Sequence, residues 1–492
     1  MIGQVNPFGS VWRRDVLRSA ALFPVAAALG AAPASAAQSD DWGDDIALLR
    51  QVYESLHPGL YRYNSPREMA RRFSATQAEW TKGPTRRAAF LSLSRLLASV
   101  RCGHSYANFY NQSAAVQAEL LDDIPRLPFL FRWIDRTMVV ARSQGDEAPL
   151  PPGTRIERIN GVATADILRQ LLPLVRADGH NEAKQRSLLS CLGTDTWETF
   201  DVLYGNMWPN ARTFDLHLRY PDNRRARVTR GSISHIVRQA DLTASTAGTP
   251  LWPFAIGEDG TATLTMPGWA LYNSDWDWNA YLADCFGQMA AQRVARLIID
   301  LRGNEGGLDC GDAIIARLID APLVPESYER RVRFDRVPAA MLPYLDTWDR
   351  SFDALGVDAR PIAGGFRALP AGAVERIEPV GPRFAGKVAV IVDASNSSAT
   401  WRFASIMQAY GLGTLVGETT GGNRRGINGG AFYFLRLPKS GLEADVPLIG
   451  AFPRTPKPDG GLDPDVFVAP TAADIAAGYD RVMATARRAL AG

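Results

Sequence analysis

Two short segments in the second half of the chain constrain its architecture more than anything else in it. Residues 295–301 and 388–392 are largely apolar runs, each followed by a turn and then by a helical pattern. Strands apolar on both faces belong inside a parallel sheet covered by helices. The first runs into Gly303-Asn304-Glu305-Gly306-Gly307 ahead of a helix predicted over 310–318. The second leads to Asn396-Ser397-Ser398-Ala399 and a helix predicted over 399–410. Both loops then sit at the carboxyl ends of strands, where open α/β sheets build their sites. A further strand over 261–266 and a helix over 281–292 extend this α/β pattern through residues 249–492.

The 492 residues exceed one compact core, and the remaining chain divides by pattern. Residues 37–120 read as a helical cap: Ile46, Leu49, Val52 and Leu56, then Phe90, Leu93 and Leu97, recur at three- and four-residue steps. The cap closes on Cys102-Gly103-His104-Ser105. Residues 121–248 alternate strands, turns and a short helix over 165–172, with strict alternation over 214–220, and 244–249 reads as a linker. Residues 1–36 are set apart as a twin-arginine export signal. Arg13-Arg14 precedes an apolar run over 20–32 and an Ala34-Ser35-Ala36 cleavage site. The run is too short for a spanning helix and Pro24 interrupts it. Cleavage near Ala36 takes the formal charge from +2 to about 0, which gives no reason to expect a nucleic-acid partner. The expected location is periplasmic or extracellular. No Cys-x-x-Cys or His-Glu-x-x-His pattern occurs, so no metal and no cofactor is expected.

A serine attacks a carbonyl only with a base in reach and donors for the developing oxyanion. Ser398 stands where a helix begins, with amides that lack intrahelical acceptors; the alternative is that Ser397 or Ser398 only caps that helix. Adjacent glycines at 306 and 307 let backbone approach a substrate closely, or form only a structural turn. His104 has the proton affinity for base chemistry near neutrality, or is a hydrogen-bonded structural histidine. His57, His180, His217 and His235 lie in a His-Pro turn, a polar loop, a strand face and a short connection.

Taken together, these segments resemble the C-terminal-processing and tricorn-core serine peptidases, the tail-specific protease superfamily. The resemblance runs from His57-Pro58-Gly59-Leu60-Tyr61 to Asp463-Pro464-Asp465. It is most specific at Ile298-Ile299-Asp300-Leu301-Arg302-Gly303-Asn304-Glu305-Gly306-Gly307, and continues at Ser398-Ala399, Tyr410-Gly411, the stretch 416–422 and Gly461-Leu462-Asp463-Pro464-Asp465. It implies an α/β, crotonase-like catalytic core with a helical cap and, around Ile159-Asn160-Gly161, a degenerate PDZ-like α+β module that gates or presents a peptide, or merely spaces the domains. It also implies a serine peptidase acting on peptide or protein, with Ser398 as nucleophile and Gly306, Gly307 and Ala399 as oxyanion donors.

Within that family the base is a lysine in a Gly-Lys pair or, in the tricorn-like branch, a histidine in a Gly-His-Ser context. Here the pair is Gly422-Asn423, and neither Asn423 nor the always-protonated Arg424 and Arg425 can serve. The resemblance therefore implies His104. The branch orients its histidine with a glutamate before the closing motif; this chain has Pro458-Asp459-Gly460 instead, leaving Asp459 and Glu418 as candidates. Trp401 departs from an acidic residue in many relatives. If His104 and the glycine loop both border Ser398, Cys102 and Cys310 approach one cleft, and a disulfide between them is set against two buried free thiols. A ligand- or peptide-binding protein without activity, and an esterase, are the competing readings on the same fold.

Overall fold

The computed structural model describes residues 41–239, 251–272, 274–370 and 376–491. The export signal over 1–36 and the linker over 244–249 lie outside them. The cap consists of α1 (Gly43–Leu56), α2 (Pro66–Trp80) and α3 (Arg86–Ala98). Ser65 caps α2 in a reciprocal box with Glu68, with Pro66 at the first helical position, and Thr85 caps α3. The periodic apolar residues all face inward: Ile46, Leu49, Val52, Leu56, Phe90, Leu93 and Leu97 are buried, each contributing about 1.5–3 kcal/mol.

Among the described residues three sheets of six strands form. The first orders Phe129–Ile134, Thr137–Ser143, Arg155–Ile159, Thr213–Arg219 and Arg225–Gly231 antiparallel, with Val162–Ala163 off the path. The helix Thr164–Leu171 packs beside it. The second is antiparallel and centres on the hairpin Asn428–Arg436 and Glu443–Phe452. The third contains β1 (Thr261–Thr265), β2 (Arg296–Asp300), β3 (Lys387–Val392) and β4 (Thr414–Gly417), joined in parallel in that order. Val466–Phe467 extends it in parallel beyond β4 and Phe254–Ile256 closes the other edge antiparallel.

This third sheet positions the site. In the β2–β3 register Asp300 lies opposite Ile391, so the two loops leave the same edge side by side. The helices that follow are α4 (Cys310–Ile315) and α5 (Ser398–Ala409). Helix α4 stops short of residue 318 because Arg317 N and Leu318 N bond three residues back, to Ile314 O and Ile315 O, which closes the last turn tightly, and the free carbonyls of Ala316 and Arg317 then accept from Val380 N and Phe384 N.

The cap, the first sheet and the second sheet share one apolar core, from Ile46 through Ile156 to Tyr433 and Ile449. The third sheet and its helices have their own, containing Leu301, Cys310, Ala399 and Trp401. Cys102 belongs to the first core and Cys310 to the second, and all four cysteines are free and buried. Of the two alternatives for Cys102 and Cys310, a bridging disulfide or two buried free thiols, the structure has the free thiols, packed into different cores. Among the described residues no helix is long and apolar enough to cross a membrane.

Candidate active site

Ser398 opens α5 with φ +51°, a left-handed conformation that a non-glycine residue adopts at a cost of about 1 kcal/mol or more. Such a turn lifts a side chain off the end of a strand, as sharp strand-to-helix turns around nucleophilic serines do. The capping alternative fails for both serines. Ser397 holds the cap position but its side chain caps nothing, its hydroxyl donating instead to Glu305 O at 3.1 Å. Among the described residues the Ser398 hydroxyl has no hydrogen-bond partner.

The glycine loop lies directly against this turn. A Cβ on Gly306 (φ +103°) would fall 2.9 Å from Ser398 Cβ, Ala399 N and Ser397 O. Only glycine allows this approach. Of the three expected donors, the Gly306 amide is occupied, donating to Asn304 Oδ1 at 2.9 Å. The Gly307 and Ala399 amides have no acceptor among the described residues. Trp269 pairs with the strand-like stretch through Gly306 O and Leu308 N, which leaves the Gly307 N–H unused. Ala399 N is among the first helical amides of α5.

Asn304 and Asn396 hold the two loops together, a role the sequence reading did not assign them. Both are fully buried. Asn304 donates to Met266 O at 2.8 Å, and its own carbonyl accepts from Asn396 Nδ2 at 3.0 Å and Thr400 Oγ1 at 2.9 Å. Asn396 also donates to Leu301 O at 2.6 Å and accepts from Gly421 N at 2.7 Å. The Ser398 turn, the glycine loop and the 421–422 stretch are thus one polar unit.

His104 comes from the other core, in the loop after α3. Its partly buried ring lies 5.7 Å from Phe432, and Nδ1 is buried without a partner among the described residues. Burial lowers its pKa, opposed chiefly by the negative charge of Asp178. His57 fixes the next residue: its Nδ1 accepts from Gly59 N at 3.0 Å, so Nε2 donates to Ser105 Oγ at 2.9 Å. Burial and Arg62 push His57 down to about 3, which makes it a neutral structural residue.

Three charged residues bridge the two sides. Arg176 donates to Gly103 O at 3.1 Å and to Glu305 Oε2 at 3.2 Å, its guanidinium lying 4.2 Å over the Tyr106 ring. Lys184 donates to Glu305 Oε1 at 2.6 Å and to Ser395 O at 2.8 Å. Burial alone would raise Glu305, but Lys184 and Arg176 outweigh it and hold the carboxyl at about 2. This ion triad connects the residue before His104, the residue before Gly306 and the loop before Ser398. Arg176 and Lys184 carry no local motif, and only their contacts across the fold reveal them.

Both candidate orienting acids are engaged elsewhere. Asp459 accepts from His180 Nδ1 at 2.7 Å and Asn423 Nδ2 at 2.7 Å, bonds that lower its pKa against the effect of burial. Glu418 is raised by burial and lies among Arg132, Asp393 and Arg186. Asn423, in the lysine position, also donates to Asp178 O at 3.0 Å and accepts from Arg425 N. Trp401 is buried against Gly422, where a Cβ would meet its ring at 2.4 Å. His217 and His235 face Asp215 and Asp122 on the first sheet's side.

Residues 260–429 match the sequence model of peptidase family S41. That span contains the glycine loop, the Ser398 turn and the 421–422 stretch. A search of curated protein sequences returns no match. Among solved structures, mature CPAF complexed with lactacystin superposes with a TM-score of 0.61 at 13% identity, covering 91% of this chain and 97% of that one. Mature CPAF alone gives 0.56 at 14% identity, covering 89% and 94%. These likenesses show a shared fold over nearly the full length of both chains.

Proposed function

Taking as premise that the chain is a serine-type peptidase of family S41, whose core residues 260–429 carry, we propose that Ser398 is its nucleophile and His104 its general base. Ser398 attacks the substrate carbonyl, its proton passes to His104, and the Gly307 and Ala399 amides receive the oxyanion. The tetrahedral intermediate collapses as His104 returns the proton to the leaving amine; water then repeats the sequence to release the acyl group. The observation that carries this reading is the left-handed, unbonded Ser398 beside two acceptor-free amides. The burial-lowered pKa of His104 keeps its imidazole neutral and able to accept a proton at neutral pH.

A fluorophosphonate probe tests the assignment. Wild type should label covalently, and Ser398→Ala and His104→Ala should each lose labelling by about 10³-fold or more. A wild type that never labels would instead support a non-catalytic binding protein on this fold, a reading favoured by the lack, among the described residues, of a carboxylate bonded to His104 Nδ1. Turnover of peptide rather than ester panels separates a peptidase from an esterase.

The substrate class we propose is peptide or protein, presented by a PDZ-like module formed by the first sheet and the helix Thr164–Leu171. Export rests on the Arg13-Arg14 motif and the Ala34-Ser35-Ala36 site. Amino-terminal sequencing of the protein made in a host with a twin-arginine pathway should read a start near Ala37. A chain that keeps Met1 or its neighbours at the amino terminus would overturn the export reading.

A further inference from the structure

Residues 176–179 run alongside residues 101–103 and bond to them at consecutive points. Gly179 N donates to Arg101 O at 3.0 Å, Asp178 Oδ1 accepts from Gly103 N at 2.9 Å, and Arg176 donates to Gly103 O at 3.1 Å. Both polar atoms of the residue before His104 are therefore taken by this one strand of chain. Asp178 is buried, and its second oxygen lies 2.6 Å from where a Gly103 Cβ would stand. Any side chain at 103 would break the contact, which gives the Gly103-His104 pair a steric reason. The Asp178 backbone is itself fixed, its carbonyl accepting from Asn423 in the position where relatives have lysine.

We propose that Asp178, rather than Asp459 or Glu418, is the acidic positioning residue of His104, acting through the Gly103 N–H and through its charge. This deepens the reading of His104 as base and rests on it. Four charged groups face the imidazole: Asp178 and Glu305 favour its protonated form, and Arg176 and Lys184 oppose it. Glu305 is neutralised by two cations, which leaves Asp178 as the charge that steadies the imidazolium formed when Ser398 gives up its proton. Asn423 then has a defined use. It cannot be a base, but it ties the segment that holds the base to the wall of the cleft.

The test is the pH dependence of fluorophosphonate labelling in Asp178→Asn. Asparagine keeps an oxygen for Gly103 N–H and removes only the charge. With the anion gone the imidazolium is less stable, so the acid limb of the profile should move down by about 1 pH unit. The weaker base should lower the plateau roughly 10-fold. Asp459→Asn and Glu418→Gln should leave the limb where it is. An unchanged limb and plateau in Asp178→Asn, or a shift produced by Asp459→Asn instead, overturns the proposal. If Asp178→Asn does not fold, Asp178→Glu carries the test: the charge is retained, so its limb should stay with wild type, and a limb displaced downward overturns it. His104→Ala separates the two levels, because labelling that survives there removes the base assignment itself.

Discussion

Replacing Gly307 by alanine should reduce fluorophosphonate labelling and peptide turnover by about 10³-fold, the effect of losing an oxyanion donor from a preorganised site. Gly307 has φ +139°, a region closed to other residues, and its added Cβ would fall 2.2 Å from both the carbonyl carbon and oxygen of Trp269. Those are backbone atoms of a paired segment and cannot rotate away. The loop must shift, and its amide leaves the position proposed to receive the oxyanion. Strain at such a position costs about 1–3 kcal/mol, so Tm should fall while the chain remains folded. Gly303→Ala is the control: φ is also positive there, but no atom lies within 4 Å of the new Cβ. Labelling of Gly307→Ala at the wild-type rate would remove Gly307 from the oxyanion site.

The second large effect is expected at Glu305→Gln. Lys184 is 3% exposed in its side chain, and its salt-bridge partner is Glu305 at 2.6 Å. Removing that charge leaves a buried ammonium facing only neutral oxygens, that of the new amide and the Ser395 carbonyl. Because two-fifths of Glu305 itself is exposed, solvent screening discounts the usual cost of breaking a buried pair to about 2 kcal/mol. The sign with pH follows from the carboxyl being held at about 2, below its ordinary value. Its contribution is fully present above the unfolded pKa near 4.5 and disappears as pH falls towards about 2. The stability gap between wild type and Glu305→Gln, measured by urea unfolding, should be constant from pH 7 to about 5 and narrow below that. A gap that is absent at pH 7, or that widens in acid, would remove the triad as a tie between the loops.

The parts of this site that are local in sequence were legible in it. The apolar strands at 296–300 and 387–392, the glycine run and the serine at a helix start are contiguous patterns, and each occurs where the periodicity places it. The cap helices were equally plain, because three- and four-residue spacing is a direct imprint of a buried helical face. The hairpin Asn428–Arg436 and Glu443–Phe452 was not assigned. Its second strand is buried on both faces yet carries Glu443 and Asp445, paired with Arg436 and with Asn108 and Asn111. Buried charges satisfied by distant residues break the apolar pattern that marks a strand. For the same reason Asp178 stayed hidden: its partners are about 75 and 245 residues away in sequence, and nothing local distinguishes it from a loop aspartate. Gly306 was expected to donate to the oxyanion, but the Asn304 side chain claims its amide, a competition visible only once the turn is closed.

That Cys102, close before His104, and Ala399, next to Ser398, are packed into separate apolar cores bears on how the relative placement of the proposed base and nucleophile is kept. Hydrophobic burial is non-directional and by itself selects no single orientation. Hydrogen bonds fail when bent, so a few of them across a seam act as locating pins. The contacts of Arg176, Glu305 and Lys184 perform that alignment here. The chain has in effect separated strength from accuracy, assigning cohesion to its oily interiors and alignment to polar side chains between them, Arg176, Glu305 and Lys184 among them.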